Sequence, residues 1–355
     1  MKASVQRKIE RYRRFHKGDG GMMLTIWHQP PGLSMPPAIP IDEVDWCNET
    51  SIRGYAQRML DILDIQRQAT AEFDDDRIPT AMVFAGTGMI AAALVADADL
   101  VQQPDTNYLH SPITDWNDGL DRIGFRPDNP WYQAQMIILR HFIDNWDGSY
   151  GVLPFAHFGP TDLANQFRGN DIFTDVYEHE AELHQLLERC TETILATERD
   201  VQANHLQGYD LEGFTFGCWA PCGSYLSCDF GDLVSPDTLR RFERPYFDRI
   251  VAEWGGCYLH HHELGAHQIP VWAENDQTWI QFVHRDLNTV HLAARIDETI
   301  IDASRRTPIQ FIATPDEFLE NAGRWADGRF LVEVGCETRQ QIEQVLECAE
   351  RFRVK

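Results

Sequence analysis

The chain has 355 residues, 43% of them hydrophobic, and a formal net charge of -24. That length and apolar content suffice for a large buried core, while so acidic a balance repels phosphate backbones and acidic membrane surfaces and excludes nucleic acid as a partner of the protein body. No apolar run approaches the roughly 20 residues of a membrane span, the opening "MKASVQRKIERYRRFHKG" is charged throughout, unlike a signal peptide, and the cysteines are scattered rather than dense; these features predict a cytoplasmic protein with reduced thiols and no membrane partner.

In chain order, residues 1–18 read as a helix carrying Lys2, Arg7, Lys8, Arg11, Arg13, Arg14 and Lys17 against Glu10 alone. Such a stripe reads as a solvated face packed on an acidic body. Short β-branched or aromatic runs follow, each succeeded by a helical pattern: "MMLTIWHQ" (22–29), "PTAMVFAG" (79–86), "YGVLPFAHF" (150–158) and "FTFGCWAPC" (214–222). Four more come at closer spacing, "CYLHHHE" (257–263), "TWIQFVH" (278–284), "PIQFIAT" (308–314) and "RFLVEVGC" (329–336). Among the helical stretches, residues 173–195 place Val176, Leu183, Leu186, Leu187, Cys190 and Ile194 at helical spacing, and residues 235–254 open with Ser235 as N-cap and Pro236 behind it. Eight strands alternating with helices predict an α/β fold, a single (β/α)8 TIM barrel with an N-terminal helical extension, spanning 1–355 as one domain. Helical inserts before the second and third strands and a long loop after the fourth account for the extra length, and the Pro-rich "HQPPGLSMPPAIPIDE" (28–43) reads as a loop on the active face.

Reactive residues of a barrel sit at the carboxyl ends of its strands. His28, His157, Cys218, Cys222, His260, His262, His284 and Cys336 fall at or just past such ends. Strand alternation puts His260 and His262 on one face and His261 on the other, so that two imidazoles can aim at one point. Imidazole and thiolate suit zinc, and a catalytic site keeps one position open, which makes Cys336 the preferred third ligand with Glu263, His284 or Cys222 as replacements. The alternative is a hydrogen-bonded polar cluster without metal.

Segments such as "PTAMVFAGTGMIAAAL", "NPWYQAQ", "LSCDFGDLVSPDTLRRFERPYFDRI", "CYLHHHELGAH" and "VGCETRQQIEQVLECA" resemble the uroporphyrinogen decarboxylase superfamily, which includes the cobalamin-dependent methyltransferases, over about residues 12–352. The resemblance implies a (β/α)8 barrel. It also implies zinc at the positions matching the methyltransferase H-x-C pair and later G-C cysteine, here His260, His262 and Cys336. Histidine in place of the first family cysteine leaves the site formally positive, favouring Lewis-acid work over an electron-rich bound thiolate. The decarboxylase branch grips its polycarboxylate with arginines after the first strand, where this chain reads "TIWHQPPGL".

The leading expectation is a zinc enzyme that activates a thiol or similar acceptor, with a corrinoid carrier protein as possible methyl donor and a small molecule as substrate. A metal-assisted lyase or hydrolase and a non-catalytic binding barrel are the alternatives, and a homodimer is compatible with each. Asp229, which matches an acidic cleft position of the family, and His157 would manage a proton or orient substrate. His28 and Gln281 would line the mouth, Trp27, Tyr225 and Phe158 an apolar pocket, and Arg168 would be a lone cation nearby. Two motifs carry less. Gly86-x-Gly88-x-x-Ala91 has the outline of a dinucleotide fingerprint but lacks the following strand with an acid at its tip. Asp229 and Asp232 could pair as acid and base in a glycosidase-like barrel, although Asp232 precedes a helix start where carboxylates are commonly capping or solvated.

Overall fold

The computed structural model describes residues 1–18, 21–28, 37–116, 119–209, 211, 213–221, 223–287 and 289–354. Cys222 and half of the Pro-rich loop, residues 29–36, lie outside them. The strands are β1 (Met23–His28), β2 (Thr80–Met82), β3 (Leu100–Gln102), β4 (Asn107–Leu109), β5 (Gly151–Leu153), β6 (Ala156–Phe158), β7 (Phe214–Thr215), β8 (Cys218–Trp219), β9 (Ser224–Ser227), β10 (Cys257–His262), β11 (Thr278–His284), β12 (Ile309–Ala313) and β13 (Phe330–Cys336). Seven form one sheet in the order β1-β13-β12-β11-β10-β9-β6, and every neighbouring pair in it is parallel. A mixed α/β architecture with a large parallel sheet is therefore established, and no helix of the described residues is long and apolar enough to cross a membrane.

Two strands differ from the sequence expectation. The run 150–158 is split at Pro154 and Phe155 into β5, which pairs with β2, and β6, which pairs with β9; proline cannot donate to a ladder. The run 214–222 is not the fourth parallel strand but the hairpin β7/β8, and the strand is β9 just beyond it. Phe216 and Gly217, both at positive φ, form the two-residue turn of this hairpin, and Gly213 sits at its open end.

Period-2 alternation sorts the sheet residues. Leu24, Ile26, Val283, Ile309, Phe311, Val332, Val334 and Cys336 pack with helix residues such as Ile301, Phe318, Trp325 and Ile342. Tyr225, Tyr258 and Phe282 point to the other face, where they surround Phe216 of the hairpin tip at ring-centroid distances of 5.2, 5.8 and 5.7 Å. Phe216 is held at φ 32°, an uncommon conformation for a side-chain-bearing residue.

Between β1 and β2, residues 74–77 take the place of strand pairing. The backbone N–H groups of Leu24 and Ile26 donate to the carboxylates of Asp76 (2.8 Å) and Asp75 (3.0 Å), and the N–H of Asp76 donates to the carbonyl of Leu24 (2.7 Å). The basic helix Ala3–Lys17 docks on this acidic segment, Lys8 pairing with Asp75 at 2.8 Å and Arg11 with Asp76 at 2.6 Å. Its stripe is thus a face packed on acid, as its composition predicts.

Glu243 joins three helices. Fully buried between Pro236–Phe242 and Arg244–Trp254, it accepts the N–H of Thr161 in the first turn of Pro160–Arg168 at 2.8 Å. Burial pushes its carboxyl up to about 8 from the ordinary 4.5, the Thr161 hydrogen bond opposing in part. Between those values the unfolded chain has released this proton and the folded one has not, so stability falls as pH rises, by at most about 1.4 kcal/mol per unit. Urea unfolding at pH 5 to 8 is expected to show that decline in the wild type and a flatter profile in Glu243→Gln; parallel profiles would count against it.

Candidate metal centre

His260 and His262 do share a face at the carboxyl end of β10, and their ring centroids are 5.0 Å apart. The group that completes them is Asp229, in the turn after β9. One ligand atom from each of Asp229, His260 and His262 lies within 4.8 Å of the others. His260 Nδ1 is 3.4 Å and His262 Nε2 3.7 Å from Asp229 Oδ1. His260 Nδ1 is buried and has no aligned hydrogen-bond partner among the described residues. Three donor atoms facing one point without satisfying each other is what a cation site requires.

Each of the three residues has a support. Asp162, in the helix Pro160–Arg168, accepts the backbone N–H groups of Asp229 (2.9 Å) and Phe230 (2.8 Å) and the Ser227 hydroxyl (2.5 Å), which fixes the turn. Burial, with the charge of Asp229 added, raises the Asp162 carboxyl. Burial would also raise Asp229, but the neighbouring His260, with His262 and His261 behind it, outweighs this and holds it below its ordinary value. Asp232 accepts the backbone N–H of His262 at 3.2 Å, and burial and Asp229 push it up to about 9, a carboxyl that stays neutral at pH 7. Its approach requires glycine at 265, where an added Cβ would stand 1.8 Å from Asp232 Oδ1. Asp232 is thus a structural acid here.

His262 Nδ1 lies 2.7 Å from Asp286 Oδ1, so Nε2 is the nitrogen turned toward Asp229. A carboxylate on the far nitrogen fixes tautomer and ring orientation. Asp286 is held by the N–H of Leu264 at 3.1 Å, and the loop that carries it is anchored on Glu263, which is fully buried and accepts from Leu292 N–H (2.6 Å) and Thr289 Oγ1 (3.1 Å). The glutamate of "HHHE" therefore serves the second histidine at one remove. Asp286→Ala is expected to weaken metal binding about 10- to 100-fold with Asp286→Asn intermediate; chelator competition checks this, and unchanged affinity in the alanine variant would refute it. His284, at the end of β11, stands 5.6 and 5.0 Å from the His260 and His262 rings, and burial, with those two imidazoles, lowers its pKa.

Other expected residues are placed elsewhere. Cys336 ends β13 in the alternation of Val332 and Val334, toward the helices, where burial pushes its thiol up to about 11; among the described residues it is not part of the metal-competent group. Gln281 shares the face of Val283, is fully buried, and donates to the Ile269 carbonyl at 3.4 Å rather than lining a mouth. His157 faces the helix Glu180–Asp200, with Nε2 2.8 Å from Glu198 Oε2, so it is a buried packing pair away from the cluster. His28 Nδ1 sits 2.8 Å from the Cys336 carbonyl. Arg168 is no lone cation: its guanidinium holds Asp175 at 2.8 Å and lies over Trp116. Tyr225 does reach the cluster, its ring 6.0 Å from that of His260, and Trp27 stacks beneath Arg77 at 5.0 Å. Asp286 was invisible to strand parity because it lies in a loop; only its position two residues past the His284 strand end hinted at it.

A cavity of about 810 Å³ is lined at one end by His284, whose ring neighbours those of His260 and His262. The chain matches no protein-family model, and no curated protein matches it significantly.

Proposed function

We propose that the chain is a metal-dependent enzyme of the uroporphyrinogen decarboxylase-like barrel class, acting on a small molecule as a lyase or hydrolase. The observation that carries this reading is the convergence of Asp229, His260 and His262 at the carboxyl ends of adjacent parallel strands. For the barrel, the pairings β2-β5 and β6 through β13 to β1 supply every neighbour contact of an eight-membered ring except β1 to β2, the seam bridged by residues 74–77.

The residues fit a divalent ion. Two imidazoles and a carboxylate form a donor set suited to zinc or ferrous iron. When bound, such an ion supplies Lewis acidity to a substrate oxygen. Asp286 holds the His262 tautomer, Asp162 holds the turn of Asp229, and His284, between cluster and cavity, is placed to meet substrate. Thiol methylation with a corrinoid donor rests on a thiolate-rich site, and with Cys336 turned to the helices the donor set supports the Lewis-acid alternative better. Protein purified without chelator is expected to contain near-stoichiometric zinc or iron by elemental analysis; absence of any transition metal would count against the proposal.

A further inference from the structure

The cavity has an unusual lining for so acidic a chain. Six Lys or Arg side chains face it against three Asp or Glu, whereas the whole sequence has 31 against 55. Its outer end is formed by the helix Ala3–Lys17, with Arg7, Lys8 and Arg11, and by the end of the helix Glu49–Thr70. Its inner end is formed by Arg77, Glu333, Gln310, Phe282 and His284. The cavity thus runs alongside the β1 to β2 seam toward the metal group.

Most of these cations are already paired, Lys8 and Arg11 with the buried Asp75 and Asp76. Two are not used up. Arg7 has no partner among the described residues. Arg77 is a fork of five N–H donors, yet of these only Nη1 has a hydrogen-bond partner there, Glu333 Oε2 at 3.3 Å. Its guanidinium carbon lies over the Trp27 ring, 5.0 Å from the centroid, a cation–π contact that restrains the fork. Pre-oriented, under-used guanidinium donors in a cavity suit a carboxylate or phosphate.

We infer that this cavity binds a small hydroxylated organic anion, its carboxylate or phosphate held by Arg77, its hydroxyl accepted by Glu333, and its far end directed toward His284. This names a substrate class for the metal-dependent reading and rests on it. The cations lie at the seam, not in the loop after the first strand.

Calorimetric titration of the full chain with malate and with glycerol 3-phosphate tests the inference and separates the two anion sources. Binding of at least one, weakened about tenfold or more in Arg77→Gln, is expected. Because Arg77→Gln leaves Glu333 unpaired, the double variant Arg77→Gln/Glu333→Gln serves as a charge-balanced check and should show at least the same loss, since it also weakens the hydroxyl acceptor. Arg7→Ala should weaken binding more at low salt than at high salt. Binding of neither anion, or undiminished binding in the double variant, would overturn the inference while leaving the metal result untouched. Anion binding by a protein that proves to contain no metal would remove the enzyme reading and keep the anion site.

Discussion

Asp229→Ala is expected to lower metal affinity by more than ~100-fold, beyond what the loss of an outer-shell partner brings, while Cys336→Ala leaves it essentially unchanged. The contrast follows from position alone. Asp229 Oδ1 is 3.4 and 3.7 Å from the two imidazole nitrogens, whereas Cys336 belongs to the apolar layer beneath the helices. A small buried thiol packs much like a hydrophobe, so its truncation should cost stability rather than metal. Chelator competition for zinc, with urea unfolding alongside, reads both effects. Comparable zinc affinity in wild type and Asp229→Ala would end the three-ligand assignment, and metal loss in a well-folded Cys336→Ala would return the thiolate to the site. Exchanging a thiolate for a carboxylate leaves the formal charge as it was, since each carries one negative charge against a divalent ion. The argument for Lewis-acid chemistry, drawn from two imidazoles and one anion, therefore survives the change of third ligand, and only the softness of the site is altered.

What could be read from the sequence depended on how local the cause was. The H-x-H pair was legible because alternation within β10 needs no partner strand. The four closely spaced strands β10 to β13 were legible as short β-branched or aromatic runs alternating with helical stretches. The fourth strand was displaced because "FTFGCWAPC" is as apolar as a strand, and its one glycine, Gly217, is a weak signal of the hairpin turn it supplies. Asp229 was named, but as a proton carrier, since a turn residue has no parity from which to compute its aim. Gln281 and Cys336 sit at strand positions whose parity decides their face, and a reference residue on each strand, Phe282 inward and Val334 outward, would have turned both toward the helices. The surroundings of Arg168 and His157 were illegible for another reason: their partners Asp175 and Glu198 come from helices, and no strand pattern encodes a helix register.

Asp76→Ala is expected to destabilise the fold by about 3–5 kcal/mol, the range for stripping one partner from a buried ion pair. Asp76 is fully buried and carries several loads at once. Its carboxylate accepts the Leu24 N–H at 2.8 Å, takes Arg353 Nη2 at 2.6 Å near the carboxyl end of the chain, and pairs with Arg11 of the first helix at 2.6 Å. Alanine would leave two guanidinium groups short of charge and one strand N–H without its acceptor in a region closed to water. Asparagine keeps an acceptor for Leu24 and loses the charge, so Asp76→Asn should fall between wild type and alanine. Urea unfolding of the three proteins at one pH decides this, and a loss below about 1 kcal/mol in the alanine variant, the scale of an exposed pair, would mean that the seam is held elsewhere. The expected size reflects where the residue stands: the strands of the seven-membered sheet are joined by backbone ladders, but both strand N–H groups at the edge of β1 toward β2 depend on the side chains of Asp75 and Asp76, with one backbone bond from Asp76 beside them. A ladder divides its load among many peptide groups that mutation cannot remove, whereas this seam concentrates it on two carboxylates that mutation can.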